Sequence, residues 1–191
     1  ALTFDPEKHE YRVAGVKHPS VTGLLKVGGL IDDRWFTEAS AWRGSVIHKC
    51  CELDDKGTLL ESSVDEGARG RLEAWRAWKR NFGWTAIEVE QPRYSDAGYC
   101  GTPDRIMRDH NGFLAVVDIK SGAVTKAHGV QLAGYQMLYP AKLMRRFVVQ
   151  LKDDGRYVMT EFAQSSFAVD WAAFQACLTL NTWRRINGIS N

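Results

Sequence analysis

Hydrophobic residues recur along this chain with two periods, and the switches between them mark out its elements. Residues 1 to 19 alternate and turn, with Phe4, Tyr11 and Val13 set around Asp5-Pro6 and Ala14-Gly15, which predicts a hairpin with a polar edge. Ser20 is placed to cap a short apolar helix carrying Val21, Leu24 and Leu25, and Gly28-Gly29 ends it. A second helical pattern starts at Asp32 or Asp33 and carries Trp35, Phe36, Ala39 and Trp42. It continues through Arg43 to Glu52, with a break expected near Gly44. The strongest pattern runs from Glu66 to Phe82, where Leu72, Trp75, Trp78 and Phe82 share one arc. Arg69, Arg76 and Arg80 share another arc, a basic stripe that reads equally as a solvated face or a phosphate contact. Gly83 closes this helix.

Strand patterns follow at Trp84 to Val89, Gly98 to Met107 and Gly112 to Lys120. The turns between them read as Ser95-Asp96-Ala97-Gly98 and Asp109-His110-Asn111-Gly112, so three consecutive antiparallel strands are expected. The run Phe113 to Val117 is apolar on both faces, as in a strand covered from both sides. His128 to Tyr139 reads as a helix ended by Pro140. Arg145 to Leu151 and Tyr157 to Phe162 read as strands around Asp153-Asp154-Gly155. A closing helix runs from Phe167 to about Asn187, its apolar face formed by Phe167, Trp171, Phe174 and Leu178.

Composition narrows the class. The 191 residues are 45% apolar and 25% charged, and no linker interrupts them, so one domain spanning 1–191 is expected. Residues 1–30 would form its hairpin and short helix, and 31–191 its core. No stretch approaches the roughly 18 consecutive apolar residues of a membrane span, and no signal-peptide pattern opens the chain. The expectation is a cytoplasmic protein without membrane contact. A net charge of +2 permits a nucleic-acid partner without requiring one. Cys50, Cys51, Cys100 and Cys177 lack C-x-x-C spacing and read as buried free thiols.

The candidate chemistry lies between Gly98 and Tyr135. Asp104 sits in a Gly-Thr-Pro-Asp turn, and fourteen residues later Asp118-Ile119-Lys120 ends an apolar strand. Residues two apart in a strand share a face, so Asp118 and Lys120 point together and Ile119 points away. Charges at the end of a buried strand are costly unless they bind something. Two carboxylates from neighbouring strands, the Ile119 carbonyl and an imidazole make an oxygen-rich site for a hard divalent ion. A surface ion pair at a strand end is the plainer reading of Asp118 and Lys120 alone. Upstream, His48 and Glu52 share a helical face at i and i+4.

Four stretches then occur in order: Arg43-Gly44-x-x-x-His48, Gly101-Thr102-Pro103-Asp104, Asp118-Ile119-Lys120 and Gln131-x-x-x-Tyr135. Together they resemble the PD-(D/E)XK nuclease superfamily in its RecB-like branch. The layout is similar to standalone phage-type members and to mitochondrial genome-maintenance exonucleases. His9-Glu10-Tyr11 and Pro19-Ser20-Val21-Thr22 also resemble the start of phage members. The resemblance implies an α/β, restriction-endonuclease-like core with a central mixed sheet flanked by helices.

It also implies roles. Asp104 and Asp118 would be metal ligands, with the Ile119 carbonyl as a further oxygen and His48 as a histidine added to the shell. Lys120 would position the attacking water. Gln131 and Tyr135 would touch the DNA backbone or support the site. Glu90 and Glu52 are additional candidate acids, Glu90 because many relatives carry a Glu in the strand before the turn aspartate. The middle acid is Asp118 where many relatives have Glu. Mg²⁺ or Mn²⁺ is the implied cofactor. The iron–sulfur cluster of some members is not expected, because only Cys177 follows the core.

The implied function is a metal-dependent deoxyribonuclease. The resemblance favours an exonuclease on single-stranded or end-containing DNA in replication, recombination or repair, with recombination or replication proteins as partners. Arg69, Arg76, Arg80, Lys126, Arg145 and Arg146 are candidates for neutralising phosphates. A structure-specific endonuclease and a non-catalytic DNA-binding protein on the same fold are the alternatives. The oligomeric state is left open.

Overall fold

The computed structural model describes residues 1–31, 38–139 and 143–189, with residues 38–41 described as backbone only. The chain opens with β1 (Leu2–Asp5), β2 (Glu10–Val13) and β3 (Val16–His18), an antiparallel three-stranded sheet where a hairpin was expected. Helix α1 (Val21–Val27) starts at Ser20, whose side chain accepts the Gly23 N–H at 3.0 Å. Helix α2 (Glu38–Asp55) runs through Gly44 without the expected break. Its expected start at Asp32 or Asp33, with Trp35 and Phe36, lies outside the described residues, as does Pro140. Helix α3 (Glu66–Phe82) is capped by Asp65 and ends at Gly83, whose φ of 65° is left-handed.

The remaining strands are β4 (Thr85–Val89), β5 (Arg93–Ser95), β6 (Tyr99–Gly101), β7 (Arg105–Arg108), β8 (Leu114–Lys120), β9 (Met144–Leu151) and β10 (Tyr157–Phe162). Five of them form the central sheet in the order β10-β9-β8-β7-β4. Only β8 and β9 pair in parallel, joined through α4 (Ala127–Gln136), so the sheet is mixed. The expected single strand from Gly98 to Met107 is two strands. β6 pairs with β5 as a separate ribbon, and β7 pairs with β4 and β8. Pro103 stands in the gap; it has no N–H to give a ladder and restricts Thr102 before it. The Ser95–Gly98 turn therefore closes the β5–β6 ribbon and does not join β4 to β7. Phe113, read as buried, is 64% exposed, and β8 starts one residue later.

Each face of the sheet carries its own core. On one side α2 and α3 pack Ile47, Cys51, Leu72, Trp75 and Trp78 against Ala115, Val117 and Ile119 of β8. On the other, α1, α4 and α5 (Phe167–Ile186) pack Leu24, Leu132, Tyr135 and Phe174 against Ile106, Val116 and Val148. β8 is thus buried on both faces, as its apolar run predicts. Close contact between α4 and α5 depends on Gly134, where an added Cβ would lie 2.5 Å from the Phe174 ring. Among the described residues no helix is long and apolar enough to cross a membrane.

One member of the basic stripe on α3, Arg76, is tied into the fold. Arg76 is held by Asp54 of α2 at 2.7 Å, by Glu73 at 3.0 Å and by Glu61. Arg146 is 1% exposed and donates to the Gly129 and Ala163 carbonyls, Ser166 and Asp170, which removes it from any phosphate contact. Arg145 pairs with Glu161 on the neighbouring strand at 2.8 Å, and Arg69 pairs with Glu66 at 3.1 Å. Arg80 and Lys126 are exposed.

Candidate active site

The break that Pro103 makes between β6 and β7 leaves Asp104 as the residue just ahead of β7, 9% exposed, at one end of the sheet. Its Oδ2 accepts the Ile119 N–H from β8 at 2.7 Å, which fixes the carboxylate across the strand pair. Glu90 follows directly on β4, and its N–H donates to the Asp104 carbonyl at 3.1 Å. Its φ of 49° is left-handed, unusual for a residue with a side chain and of order 1–3 kcal/mol in cost. The Glu90 carboxylate accepts from Arg105 Nη1 at 3.1 Å. From α2, the His48 Nδ1 reaches to 3.6 Å from Asp104 Oδ2.

One ligand atom from each of His48, Glu90 and Asp104 lies within 4.8 Å of the others. Two carboxylate oxygens and an imidazole nitrogen fit a hard or borderline divalent ion such as Mg²⁺ or Mn²⁺. Glu90, a secondary candidate in the sequence, is one of the three. Asp118 is not. It is 1% exposed, and Lys120 Nζ lies 2.8 Å from its Oδ2. Ile119 presents its N–H to Asp104. Glu52 pairs with Lys49 at 3.0 Å and Lys56 at 2.7 Å, and its charge adds to the upward push on Glu90.

Electrostatics at this end of the sheet are those of crowded acids. Burial, then the charge of Asp104, pushes the Glu90 carboxyl up to about 8, with Arg105 opposing. Burial raises Asp118 as well, Lys120 opposes it and Asp104 adds to it. Burial works against the Lys120 ammonium, but Asp118 and Asp104 outweigh it and the net shift is upward. Lys120 is therefore charged, and its partner is chosen. Such clustered, shifted groups are what a catalytic or metal site produces.

Gln131 and Tyr135 lie beneath this end of the sheet, 6% and 7% exposed, and the Gln131 amide donates to the Tyr135 hydroxyl at 3.4 Å. Burial raises the Tyr135 pKa, and the charges of Asp118 and Asp104 add to that. Both are buried, and Tyr135 is close enough to Asp118 and Asp104 to feel their charge. The N-terminal sheet reaches the same turn, since Tyr11 and Thr102 share a hydroxyl hydrogen bond at 2.8 Å.

Residues 57–166 match the family model of the PD-(D/E)XK nuclease superfamily. The chain belongs to that superfamily. The PD-(D/E)XK match takes in Glu90, Asp104, Asp118, Lys120, Gln131 and Tyr135, and His48 lies ahead of it. No curated protein sequence matches the chain. Among solved structures, a protein proposed to be an exonuclease from Eubacterium rectale is 10% identical, with a TM-score of 0.51 over 93% of this chain and 79% of that one. An alkaline exonuclease from Laribacter hongkongensis is 15% identical, with a TM-score of 0.44 over 90% of this chain and 93% of that one. At 10% identity the likeness to the Eubacterium rectale protein is one of fold alone.

Two features of the site escape sequence reasoning. One is the left-handed backbone at Glu90, which no residue type signals. The other is Arg105, which reads as an ordinary strand residue but is fully buried beside Glu90. An arginine next to the turn aspartate is the only signal available.

Proposed function

We propose that this protein is a divalent-metal-dependent deoxyribonuclease that hydrolyses phosphodiester bonds, with Mg²⁺ or Mn²⁺ as its cofactor. The observation that carries the reading is the convergence of His48, Glu90 and Asp104 ligand atoms within 4.8 Å, beside a buried Asp118 paired with a partly exposed Lys120. His48, Glu90 and Asp104 would hold the metal, with Asp118 beside them. When bound, the ion would polarise the phosphate and lower the pKa of water.

The chain's own groups account for the rest. Lys120, kept charged and aimed by Asp118, would orient the attacking water and offset charge building on the phosphoryl oxygens. Gln131 and Tyr135 would hold the carboxylates in place. Residues 1–191 would act as one nuclease domain, with the N-terminal sheet tied to the site through Tyr11. The protein proposed as an exonuclease, whose fold this chain shares, favours action at DNA ends. Work in replication, recombination or repair follows from that, and a phage-type origin accords with the N-terminal motifs.

Linear and covalently closed circular DNA separate the readings. The purified chain with Mn²⁺ or Mg²⁺ is expected to degrade linear DNA, labelled at either end, and to leave closed circles intact. Cutting of closed circles would instead establish an endonuclease. No hydrolysis of either form, with DNA still bound, would establish a binding protein.

A further inference from the structure

Arg105 follows Asp104 directly, and its side chain is 0% exposed. Its Nε donates to Asp55 Oδ2 at 2.6 Å, and its Nη1 donates to Glu90 Oε1 at 3.1 Å and to the Asp104 carbonyl at 2.5 Å. The guanidinium also lies over the Trp75 ring at 5.8 Å. Asp55 is itself buried, and accepts from Trp75 Nε1 at 3.1 Å and from Lys79 at 2.5 Å. Asp55 stands seven residues after His48 on α2, two turns along, so the two share a face of that helix. A single side chain therefore touches Glu90 and the Asp104 backbone and anchors the helix face that carries His48.

This is a costly arrangement. A buried ion pair loses hydration that its attraction repays only with close geometry, and replacement by apolar groups is often neutral or stabilising. A cation this close to a metal site also opposes metal binding by simple Coulomb repulsion. Either cation would supply charge among Asp55, Glu90 and Asp104, but only the rigid fork of an arginine fixes the directions of its bonds, from Nε to Asp55 and from Nη1 to Glu90.

We propose that Arg105 is the positioning residue of the metal site, setting Glu90 directly and His48 through Asp55 and α2. The inference rests on the metal-site reading above. Its test is Mn²⁺ binding by calorimetry to the whole chain, in wild type, Arg105→Lys and Asp55→Asn, at a temperature where circular dichroism shows each folded. Each substitution is expected to raise the Mn²⁺ Kd by about 10–100-fold, as loss of an outer partner of a metal ligand does. DNA hydrolysis should return toward the wild-type rate as Mn²⁺ approaches saturation. A role through charge alone would leave Arg105→Lys with the wild-type Kd. Should Arg105→Lys not fold, Asp55→Asn decides, because it leaves the guanidinium and both ligand carboxylates in place. Wild-type Mn²⁺ affinity in the folded variants would overturn the proposal alone. No Mn²⁺ binding by the wild type would overturn the metal reading and this proposal with it.

Discussion

Lys120 and Asp118 meet at 2.8 Å at the end of a strand buried on both faces, and neither charge is isolated. Lys120→Ala leaves the Asp118 carboxyl buried without its counter-charge, and with burial already raising its pKa it would take up a proton rather than unfold the strand. Hydrolysis of labelled linear DNA with Mn²⁺ should fall by roughly 10²–10⁴-fold, the range for a lost proton-handling or water-orienting group. DNA binding should persist; undiminished cutting by a folded Lys120→Ala protein would remove Lys120 from the mechanism. Glu90 makes a second residue-scale prediction through pH. Its folded pKa is raised from 4.5 to about 8, so between these values the folded state holds a proton the unfolded chain has released. Glu90 thus contributes stability below pH 4.5 that is lost as pH rises through about 8. In metal-free buffer, Glu90→Gln should gain in melting temperature over wild type as pH goes from 5 to 9. A constant difference across that range would mean Glu90 is not the titrating group.

At the scale of elements, caps and periods were readable wherever one residue decides the outcome. Ser20 and Gly83 mark helix ends that the structure keeps, and Leu72, Trp75 and Trp78 of the expected α3 arc are core, while Phe82, at the last turn, is 42% exposed. What could not be read depends on partners far along the chain. Thr102-Pro103 splits one expected strand in two because the ladder partner changes there, and the β5–β6 ribbon fills the interval. Arg76 looked free on its helical face because Asp54 and Glu61 come from segments that only the fold brings near. Arg76→Ala should therefore lower the melting temperature and leave the salt dependence of DNA affinity unchanged; a slope reduced by about one unit would restore it as a phosphate contact. Helix α4 gives a packing prediction. Phe174 is 0% exposed and cannot retreat from a Cβ at residue 134. Gly134→Ala should cost about 1–3 kcal/mol in urea unfolding, and cutting should weaken with it, since Gln131 and Tyr135 ride on the same helix. A neutral substitution would mean that α4 and α5 have slack between them.

Across the whole molecule, the site is where the two halves of the fold meet. His48 comes from the α2–α3 layer, Gln131 and Tyr135 from the α1–α4–α5 layer, and Asp104, Asp118 and Lys120 from the sheet between them. Sequence motifs named most of these residues but not their grouping, which places Glu90 with His48 and Asp104 and sets Asp118 beside them with Lys120. A site assembled this way needs both layers to be folded together, so the chain should behave as one cooperative unit. Leu24 of α1 tests this from far away. It is 0% exposed and packs in the layer opposite Trp75 and Trp78. Leu24→Ala should destabilise the protein by about 2–5 kcal/mol. If residues 1–191 are one domain, that loss shifts the urea midpoints of tryptophan fluorescence and of backbone circular dichroism equally. Two separated transitions would show that α1 and the N-terminal sheet fold apart from the nuclease core, and that His48 and Asp104 can meet without them.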